Sequence, residues 1–137
     1  MVDIGCGDGR ALFVFANSQA SKVRGIELDS DAISKCKENI RRLYNPGKIE
    51  LIRADCTNFQ FFDETIVYLY NPFGVATLRQ VLDNLRKSIR ENPRALKICF
   101  YGPEQSRHLL SAEPWIKLDQ ELTLFKARIL IYSARWN

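Results

Sequence analysis

Three glycines at alternate positions, flanked by acidic residues, form the first segment of the sequence that could do chemistry. The segment reads Asp3-Ile4-Gly5-Cys6-Gly7-Asp8-Gly9. Glycine permits a tight turn and lets a ligand approach the bare backbone. In the dinucleotide-binding pattern G-x-G-x-x-G the third glycine would fall at position 10, where this sequence has Arg10. The spacing therefore indicates a ligand loop of a different kind.

The charge of this loop distinguishes the possible ligands more firmly than its spacing does. A dinucleotide would place a doubly negative pyrophosphate beside Asp3 and Asp8. Like charges about 4 Å apart repel by on the order of 1 kcal/mol in water and about 4 kcal/mol at the effective dielectric of a protein surface. We therefore expect a cationic ligand without phosphate groups.

Two more acidic residues end the second and third predicted strands. Glu27 stands where a carboxylate can accept hydrogen bonds from both hydroxyls of a ribose. Asp55 could bind the amino group of an adenine while the Cys56 amide meets a ring nitrogen. A turn-forming role is the alternative for Asp55, and we interpret Asp29 as a solvated neighbour of Glu27. Acids at the ends of three successive strands favour one shared nucleoside site.

The segments that position these residues alternate between strand and helix, which is typical of a mostly parallel sheet covered on both faces. Strands are predicted at 2–4, 22–27, 49–53, 65–70, 95–101, 115–122 and 125–134. Helices are predicted at 8–18, from an N-cap at Ser30 to a stop at Asn45-Pro46-Gly47, between Gly74 and Asn92, and at 104–110. The fold class is therefore α/β, a doubly wound sheet that ends in an antiparallel hairpin.

The first predicted strand is short, because only Met1 and Val2 precede Asp3, whereas buried strands usually have about five or six residues. We therefore expect a single domain over residues 1–137 that lacks the N-terminal helices of a larger natural domain. Its ligand face should be open or covered by a second copy of the chain. In the terminal hairpin, Trp115 and Trp136 are expected to fill the core.

The loop VDIGCGDG resembles the first motif of the class I methyltransferases, a strand followed by (D/E)-x-G-x-G-x-G. VRGIELD is similar to the second motif of that family, and IRADC to the third. The resemblance implies a seven-strand, Rossmann-like fold and the cofactor S-adenosylmethionine, with S-adenosylhomocysteine as its product. The cofactor-binding residues that it implies are Asp3, Gly5, Cys6, Gly7, Gly9, Glu27, Asp55, Cys56 and Asn71.

The segment Asn71-Pro72-Phe73-Gly74 follows the fourth strand and provides the candidate catalytic residues Asn71, Pro72 and Phe73. Asn71 offers an amide oxygen that can orient a donor hydrogen, and Pro72 stiffens the turn. Phe73 could enclose the acceptor or simply plug the core below the loop. The amine-directed members of the family carry (D/N)-P-P-(Y/F) here, so this chain departs by one proline. The segment is also similar to the Asn-Phe-rich loop of seven-strand histone-lysine methyltransferases.

Composition limits the remaining possibilities. The chain has 46% hydrophobic and 26% charged residues, no apolar run of the roughly 18 to 20 residues that span a bilayer, and no signal-like start. Its four cysteines form no C-x-x-C pair, so we expect no metal site and reduced thiols in the cytoplasm. The net charge of +4 permits a nucleic-acid partner without requiring one.

The leading hypothesis is a methyltransferase with a nitrogen acceptor on a protein, a small molecule or a nucleic acid, with no membrane partner and a homodimer as an option. The second is a non-catalytic module that binds S-adenosylmethionine, and the third is an NAD-dependent oxidoreductase. His108, the only histidine, is interpreted as a surface or capping residue. Tyr101, Gly102 and Pro103 could line the acceptor pocket.

Overall fold

The computed structural model describes residues 1–43 and 46–134, which form one seven-stranded sheet with helices on both faces. The strands are β1 (Val2–Ile4), β2 (Val23–Glu27), β3 (Ile49–Arg53), β4 (Ile66–Tyr70), β5 (Lys97–Tyr101), β6 (Ile116–Leu124) and β7 (Ala127–Ala134). The helices are α1 (Arg10–Ala16), α2 (Ser30–Arg41), α3 (Val75–Glu91) and α4 (Glu104–Ala112). The predicted fold class is thus confirmed.

The strand order is β3-β2-β1-β4-β5-β7-β6. β2 and β3 lie on one side of β1, and the chain then returns to place β4 on the other side, so the order of the strands reverses at β1. β1 pairs in parallel with β2 and with β4, and the crevice at such a reversal is where open α/β sheets bind ligands. The predicted acids after β2 and β3 and the loop after β1 all lie at this carboxyl edge. The order of the strands therefore collects the candidate residues at one place.

The C-terminal hairpin contains the strand that runs against the rest of the sheet. β7 pairs antiparallel with β5 on one side and with β6 on the other. The predicted hairpin is confirmed, although its turn includes Phe125, which the sequence placed in the last strand. Trp115 precedes β6 and is buried, as expected. Trp136 lies outside the described residues.

Two apolar clusters hold the helices against the sheet. On one face, α3 buries Leu78, Val81, Leu82, Leu85 and Ile89, the side chains whose helical spacing predicted this helix. On the other face, Leu12 of α1 and Cys36 of α2 pack with Val23 and Cys6. Gly25 of β2 makes room for this cluster, because a Cβ there would lie 2.6 Å from Leu12 and 2.9 Å from the Cys6 sulfur. None of the described helices is long and apolar enough to cross a membrane.

Two helix starts differ from the sequence prediction. α1 begins at Arg10 rather than residue 8, because Gly9 is its N-cap with φ 88°. The N-cap of α2 is Asp29 and not Ser30, since the Asp29 carboxylate accepts hydrogen bonds from the amides of Asp31 and Ala32, both at 2.8 Å. Asp29 is exposed, as expected of a solvated neighbour of Glu27, and it also caps α2. α2 ends at Arg41, and the predicted stop at Asn45 lies outside the described residues.

The cap assignment gives a direct stability prediction. Asp29→Ala should lower the free energy of unfolding by about 1 kcal/mol, because two amides of the first turn lose their acceptor. Ser30→Ala, at the position that the sequence suggested, should change it by no more than about 0.5 kcal/mol. Urea titration followed by circular dichroism measures both. Equal losses in the two variants would contradict the assignment.

Candidate active site

The loop between β1 and α1 holds all three of its glycines in the left-handed backbone region. Gly5, Gly7 and Gly9 have φ values of 76°, 55° and 88°. Side chains are strained in this region, so the alternation of glycines in the sequence has a direct conformational cause. The amides of Gly5 and Cys6 donate to the carbonyl of Ile26 at 2.8 and 3.1 Å, which fixes the loop against the end of β2.

The loop has one packed side and one open side. A Cβ on Gly5 would lie 3.0 Å from the Cβ of Pro72, so the segment after β4 packs directly on the loop backbone. In the described part of the chain, apart from Gly7 and its two chain neighbours, no heavy atom lies within 4 Å of the place that a Cβ on Gly7 would take. A ligand can therefore approach the backbone from the side of Gly7.

Glu27 ties the loop to the end of β2. Its Oε2 accepts from the Gly7 amide at 3.0 Å, and its Oε1 accepts from the amides of Leu28 and Asp29 at 2.8 and 2.9 Å. A carboxylate has about four acceptor positions, so about one remains for a ribose hydroxyl. The sequence suggested that Glu27 binds both hydroxyls, whereas here most of its capacity holds the loop in shape.

Asp3 is a buried carboxyl group within β1. It is 3% exposed, and no donor among residues 1–43 and 46–134 reaches its carboxylate. Burial, and secondarily the negative charge of Glu27, raise the pKa of Asp3 to about 7. A cation next to Asp3 would reverse this effect, because it favours the ionised carboxylate. The side chain is thus suited to meet a positive group of a ligand.

Asp55 follows β3 and has one of the two roles that the sequence left open, that of forming a turn. Its Oδ1 accepts from the amide and the hydroxyl of Thr57 at 2.9 and 2.7 Å, which caps the short turn Cys56–Asn58. These hydrogen bonds lower the pKa of Asp55, so the carboxylate is ionised at neutral pH. Asp55 is therefore a turn former, and its second oxygen remains available to an adenine amino group.

Asn71 occupies a strained position directly after β4. Its φ is 43°, in the left-handed region that asparagine tolerates better than most residues. Its backbone amide donates to the backbone carbonyl of Tyr101 at 2.6 Å, and this hydrogen bond joins the ends of β4 and β5. Phe73 packs partly against the main apolar cluster and also lines the cavity described next, so both of its proposed roles have a structural basis.

Two adjoining cavities lie at the carboxyl edge and share Gly5 and Tyr70. The first has a volume of about 580 Å³, and the predicted residues that line it are Gly5, Glu27, Asp55, Cys56, Asn71, Pro72 and Phe73. The second has a volume of about 430 Å³ and contains Asp3, Gly5 and Cys6. A hydrogen bond with the Cys36 thiol, and secondarily burial, raise the pKa of Cys6, so this side chain is a neutral packing group.

Carboxylates dominate the charge around these cavities. Five line them, namely Asp3, Asp8, Glu27, Asp29 and Asp55, against the single guanidinium of Arg10. Arg10 also pairs with Asp8 at 3.3 Å. The site is therefore electronegative, which suits a cationic ligand and disfavours a pyrophosphate.

Some of the expected residues lie elsewhere. Gly7 and Gly9 shape the loop without lining either cavity, and Tyr101, Gly102 and Pro103 also line neither. His108 is exposed and lies 3.5 Å from Glu104, in agreement with a surface role.

Sequence reasoning missed Tyr68 and Tyr70, which line the second cavity. Their alternation along β4 was visible, but the cavity that they face depends on the pairing with β1. A third cavity of about 440 Å³, between α3 and segment 57–62, contains none of the predicted residues.

The family model described as "Methyltransferase domain" matches residues 1–97, which include the glycine loop, Glu27, Asp55 and Asn71. The chain belongs to the methyltransferase domain family. This assignment agrees with the predicted S-adenosylmethionine-dependent methyltransferase, and the seven-strand sheet has the fold of the solved methyltransferases that it resembles. The hypothesis of an NAD-dependent oxidoreductase was therefore wrong.

The relatives of this methyltransferase domain act on different acceptors. Ribosomal protein L11 methyltransferase of Aquifex aeolicus (strain VF5) is 30% identical over 88 residues, covering 64% of this chain and 35% of that protein. The chain thus spans about a third of this curated relative. An RNA methyltransferase from Salinibacter ruber, solved with S-adenosyl-L-homocysteine, has a TM-score of 0.73 at 20% identity, covering 97% of this chain and 78% of that one. The glycopeptide N-methyltransferase MtfA, solved with S-adenosylmethionine, has a TM-score of 0.77 at 10% identity, covering 99% and 81%.

The hydrogen bonds of Glu27 predict its effect on cofactor affinity in this methyltransferase domain. Glu27→Ala should weaken S-adenosylhomocysteine binding by about 1 to 2 kcal/mol, because a hydroxyl acceptor and the tie to the Gly7 amide are lost together. Isothermal titration calorimetry measures the change. Glu38→Ala, which removes an exposed acid on α2, serves as the control and should bind like the wild type. An unchanged affinity in Glu27→Ala would place the ribose elsewhere.

Proposed function

We propose that this domain transfers a methyl group to an amine nitrogen on a protein. The observation that carries the proposal is the charge of the two cavities, where five carboxylates stand against one guanidinium. A protonated amine is attracted to such a surface, whereas the phosphates of a nucleic acid are repelled. The name of the 30% identical relative, a methyltransferase of a ribosomal protein, points to the same acceptor class.

The residues at the carboxyl edge fit S-adenosylmethionine, which has two cationic groups and no phosphate. When bound, this cofactor supplies a methyl group on a sulfonium sulfur that a nitrogen lone pair can displace. Glu27 and Asp55 would hold its ribose and adenine, and the unpaired carboxyl group of Asp3 would meet a positive charge. The left-handed glycines keep the loop backbone open on the Gly7 side. No metal or strong base is needed for a displacement at carbon when the amine is held close to the methyl group.

Asn71 is proposed to orient the amine. Its left-handed backbone is fixed by the hydrogen bond to Tyr101, so its side chain starts from a defined position at the rim of the first cavity. The amide oxygen can accept one N–H of the acceptor and so direct the nitrogen lone pair. Pro72 packs against Gly5, and Phe73 packs against the main apolar cluster. These contacts hold the segment in place.

The role of Asn71 predicts a kinetic effect. Asn71→Ala should lower kcat about tenfold or more and leave the dissociation constant of the cofactor nearly unchanged, because orientation of the acceptor is lost. Asn58→Ala, in the cavity next to α3, provides a matched control. Mass spectrometry counts the transferred methyl groups, and calorimetry follows the cofactor. A kcat equal to that of the wild type would remove Asn71 from the mechanism.

The acceptor class is tested by a panel of lysine-containing peptides, N-terminal amines, small amines and oligonucleotides incubated with labelled S-adenosylmethionine. We expect label on protein amines. Labelled oligonucleotides with unlabelled peptides would contradict the proposal. Cofactor binding without any product would favour the second candidate, a non-catalytic module that binds S-adenosylmethionine.

We also propose a cytoplasmic location and self-association, each with its own support. Within the described residues all four cysteines are free thiols, as expected in a reducing compartment. Large side chains on the terminal hairpin are exposed, including Leu124 and Phe125, and such surfaces often mark an interface. Sedimentation at increasing concentration tests the homodimer, and a constant monomer mass would reject it.

A further inference from the structure

Tyr70, which lines the second cavity, is stacked on a neighbouring tyrosine ring. Tyr70 and Tyr101 are paired residues at the ends of β4 and β5, with ring centroids 4.5 Å apart and an angle of 18° between the planes. Tyr68, two residues earlier on β4, lies 6.3 Å from Tyr70 at 17°. The three rings are thus nearly parallel on one face of the sheet. Tyr101 covers one face of the Tyr70 ring, so a ligand in the second cavity would meet the ring outside that contact.

The position of Tyr70 joins it to the proposed transfer site. Tyr70 is 53% exposed, although it ends a strand in the middle of the sheet. It lines both cavities, as only Gly5 also does among the described residues, and it directly precedes Asn71. In the second cavity its neighbours include the carboxyl groups of Asp3 and Asp8. An aromatic face and two acids therefore border the same space.

We propose that the second cavity receives the acceptor as an alkylamine against the ring of Tyr70, and that Tyr101 is the positioning residue that holds this ring. The inference rests on the proposed amine methylation and adds the residues that recognise the amine. The face of a tyrosine ring carries negative potential and attracts a cation within about 6 Å of its centre. Because Asp3 is assigned to the cofactor, it is the Asp8 carboxylate that adds attraction of the same sign.

The same arrangement suits the change of charge during transfer. The bound alkylammonium first gives one proton to water, which frees the lone pair on nitrogen. As this lone pair forms the new N–C bond, the C–S bond breaks and its electron pair remains on sulfur. Positive charge therefore leaves sulfur and appears on the methylated nitrogen, which keeps its other protons. A ring face beside that nitrogen favours the charge that develops there.

A planar nucleobase could also stack on a tyrosine face. The surroundings favour the amine, because the attached phosphates would meet an excess of carboxylates. The nucleobase is therefore the alternative outcome of the test.

The test compares a cation with a neutral molecule of the same shape. The probes are N-acetyl-trimethyllysine amide and its analogue with a tert-butyl carbon in place of the ammonium nitrogen, titrated by NMR into the domain saturated with S-adenosylhomocysteine. The wild type should bind the cation about fivefold or more tightly than the neutral analogue. Tyr70→Ala should abolish this preference, and Tyr70→Phe should keep most of it. Tyr101→Leu should reduce the preference, with Tyr101→Phe restoring it. Phe62→Ala, an exposed aromatic residue of the third cavity, should have no effect.

The possible results separate this inference from the proposed function. Equal binding of the two probes, or an unchanged preference in Tyr70→Ala, overturns the role of the ring, even where amine methylation is observed. Tighter binding of adenosine monophosphate than of the cation, lost in Tyr70→Ala, overturns it in favour of a nucleobase acceptor. A failure to methylate any amine removes the proposed function, and the probe preference is measured without turnover. Unchanged circular dichroism and S-adenosylhomocysteine affinity show that each variant is folded.

Discussion

Replacing Asp3 with asparagine is expected to weaken S-adenosylmethionine binding by about 2 to 3 kcal/mol and, at the same time, to make the cofactor-free domain more stable at about pH 8. The two effects have one cause. The Asp3 carboxyl group is buried and receives no hydrogen bond from the described residues, so its ionised form is costly until a cation arrives. Asparagine removes both the free-energy cost of burying the ionised carboxyl group and its attraction for a cation.

The direction of the pH dependence follows from the raised pKa. In the unfolded chain Asp3 titrates near its ordinary value of 3.8, and in the folded domain at about 7. Between these values the folded state binds more protons, so its stability falls as pH rises from about 4 to about 7 and then levels off. Binding of a cation requires the ionised form, so affinity rises over the upper part of this range. Asp3→Asn should lose both dependences.

Calorimetry with S-adenosylmethionine and S-adenosylhomocysteine from about pH 5.5 to about pH 8.5 measures the affinities, and thermal unfolding measures the stability. Equal losses for the two ligands in Asp3→Asn would place the carboxylate at the ammonium that both carry. A loss confined to S-adenosylmethionine would place it at the sulfonium. An affinity that is independent of pH in the wild type would contradict the account of Asp3.

Gly9→Ala is expected to lower the free energy of unfolding by about 2 to 5 kcal/mol. The left-handed φ of 88° strains any side chain, at a cost of about 1 to 2 kcal/mol. A Cβ would also lie 2.5 Å from the sulfur of Cys36, which is fully buried on α2, and such overpacking adds about 1 to 3 kcal/mol. Gly9 therefore sets the distance between the loop and α2.

A double-mutant cycle separates the two contributions. Cys36→Ala removes the obstructing sulfur, so the double variant should be destabilised by less than the sum of the single changes. Gly7→Ala is the control, because its φ of 55° gives strain without a contact, and it should cost only about 1 to 2 kcal/mol. Urea unfolding followed by circular dichroism gives all four values. Additive effects of Gly9→Ala and Cys36→Ala would show that the sulfur is not the obstacle.

The sequence predicts the fold well where one physical pattern dominates a segment. α3 buries Leu78, Val81, Leu82, Leu85 and Ile89, whose spacing has the period of a helix, and the structure confirms it. The glycines at alternate positions require left-handed backbone, and all three adopt it. In contrast, Asp29 and Ser30 are both good N-cap residues, so local preference alone could not decide between them.

Several features of the site depend on contacts between distant segments and could not be predicted. Backbone amides take most acceptor positions of Glu27. One of these amides belongs to Gly7, which lies twenty residues earlier in the sequence. The stacked rings of Tyr70 and Tyr101 depend on the register between β4 and β5. The sequence therefore identifies which residues have suitable chemistry, and the pairing of strands determines which of them share a cavity.

The most direct test of the account is a crystal structure of the domain with S-adenosylhomocysteine. We expect a ribose hydroxyl within hydrogen-bonding distance of Glu27, the adenine beside Asp55 and the ammonium on the side of Asp3, with the glycine loop unchanged. A ligand bound in the cavity beside α3, or a glycine loop left empty at saturating ligand, would contradict it.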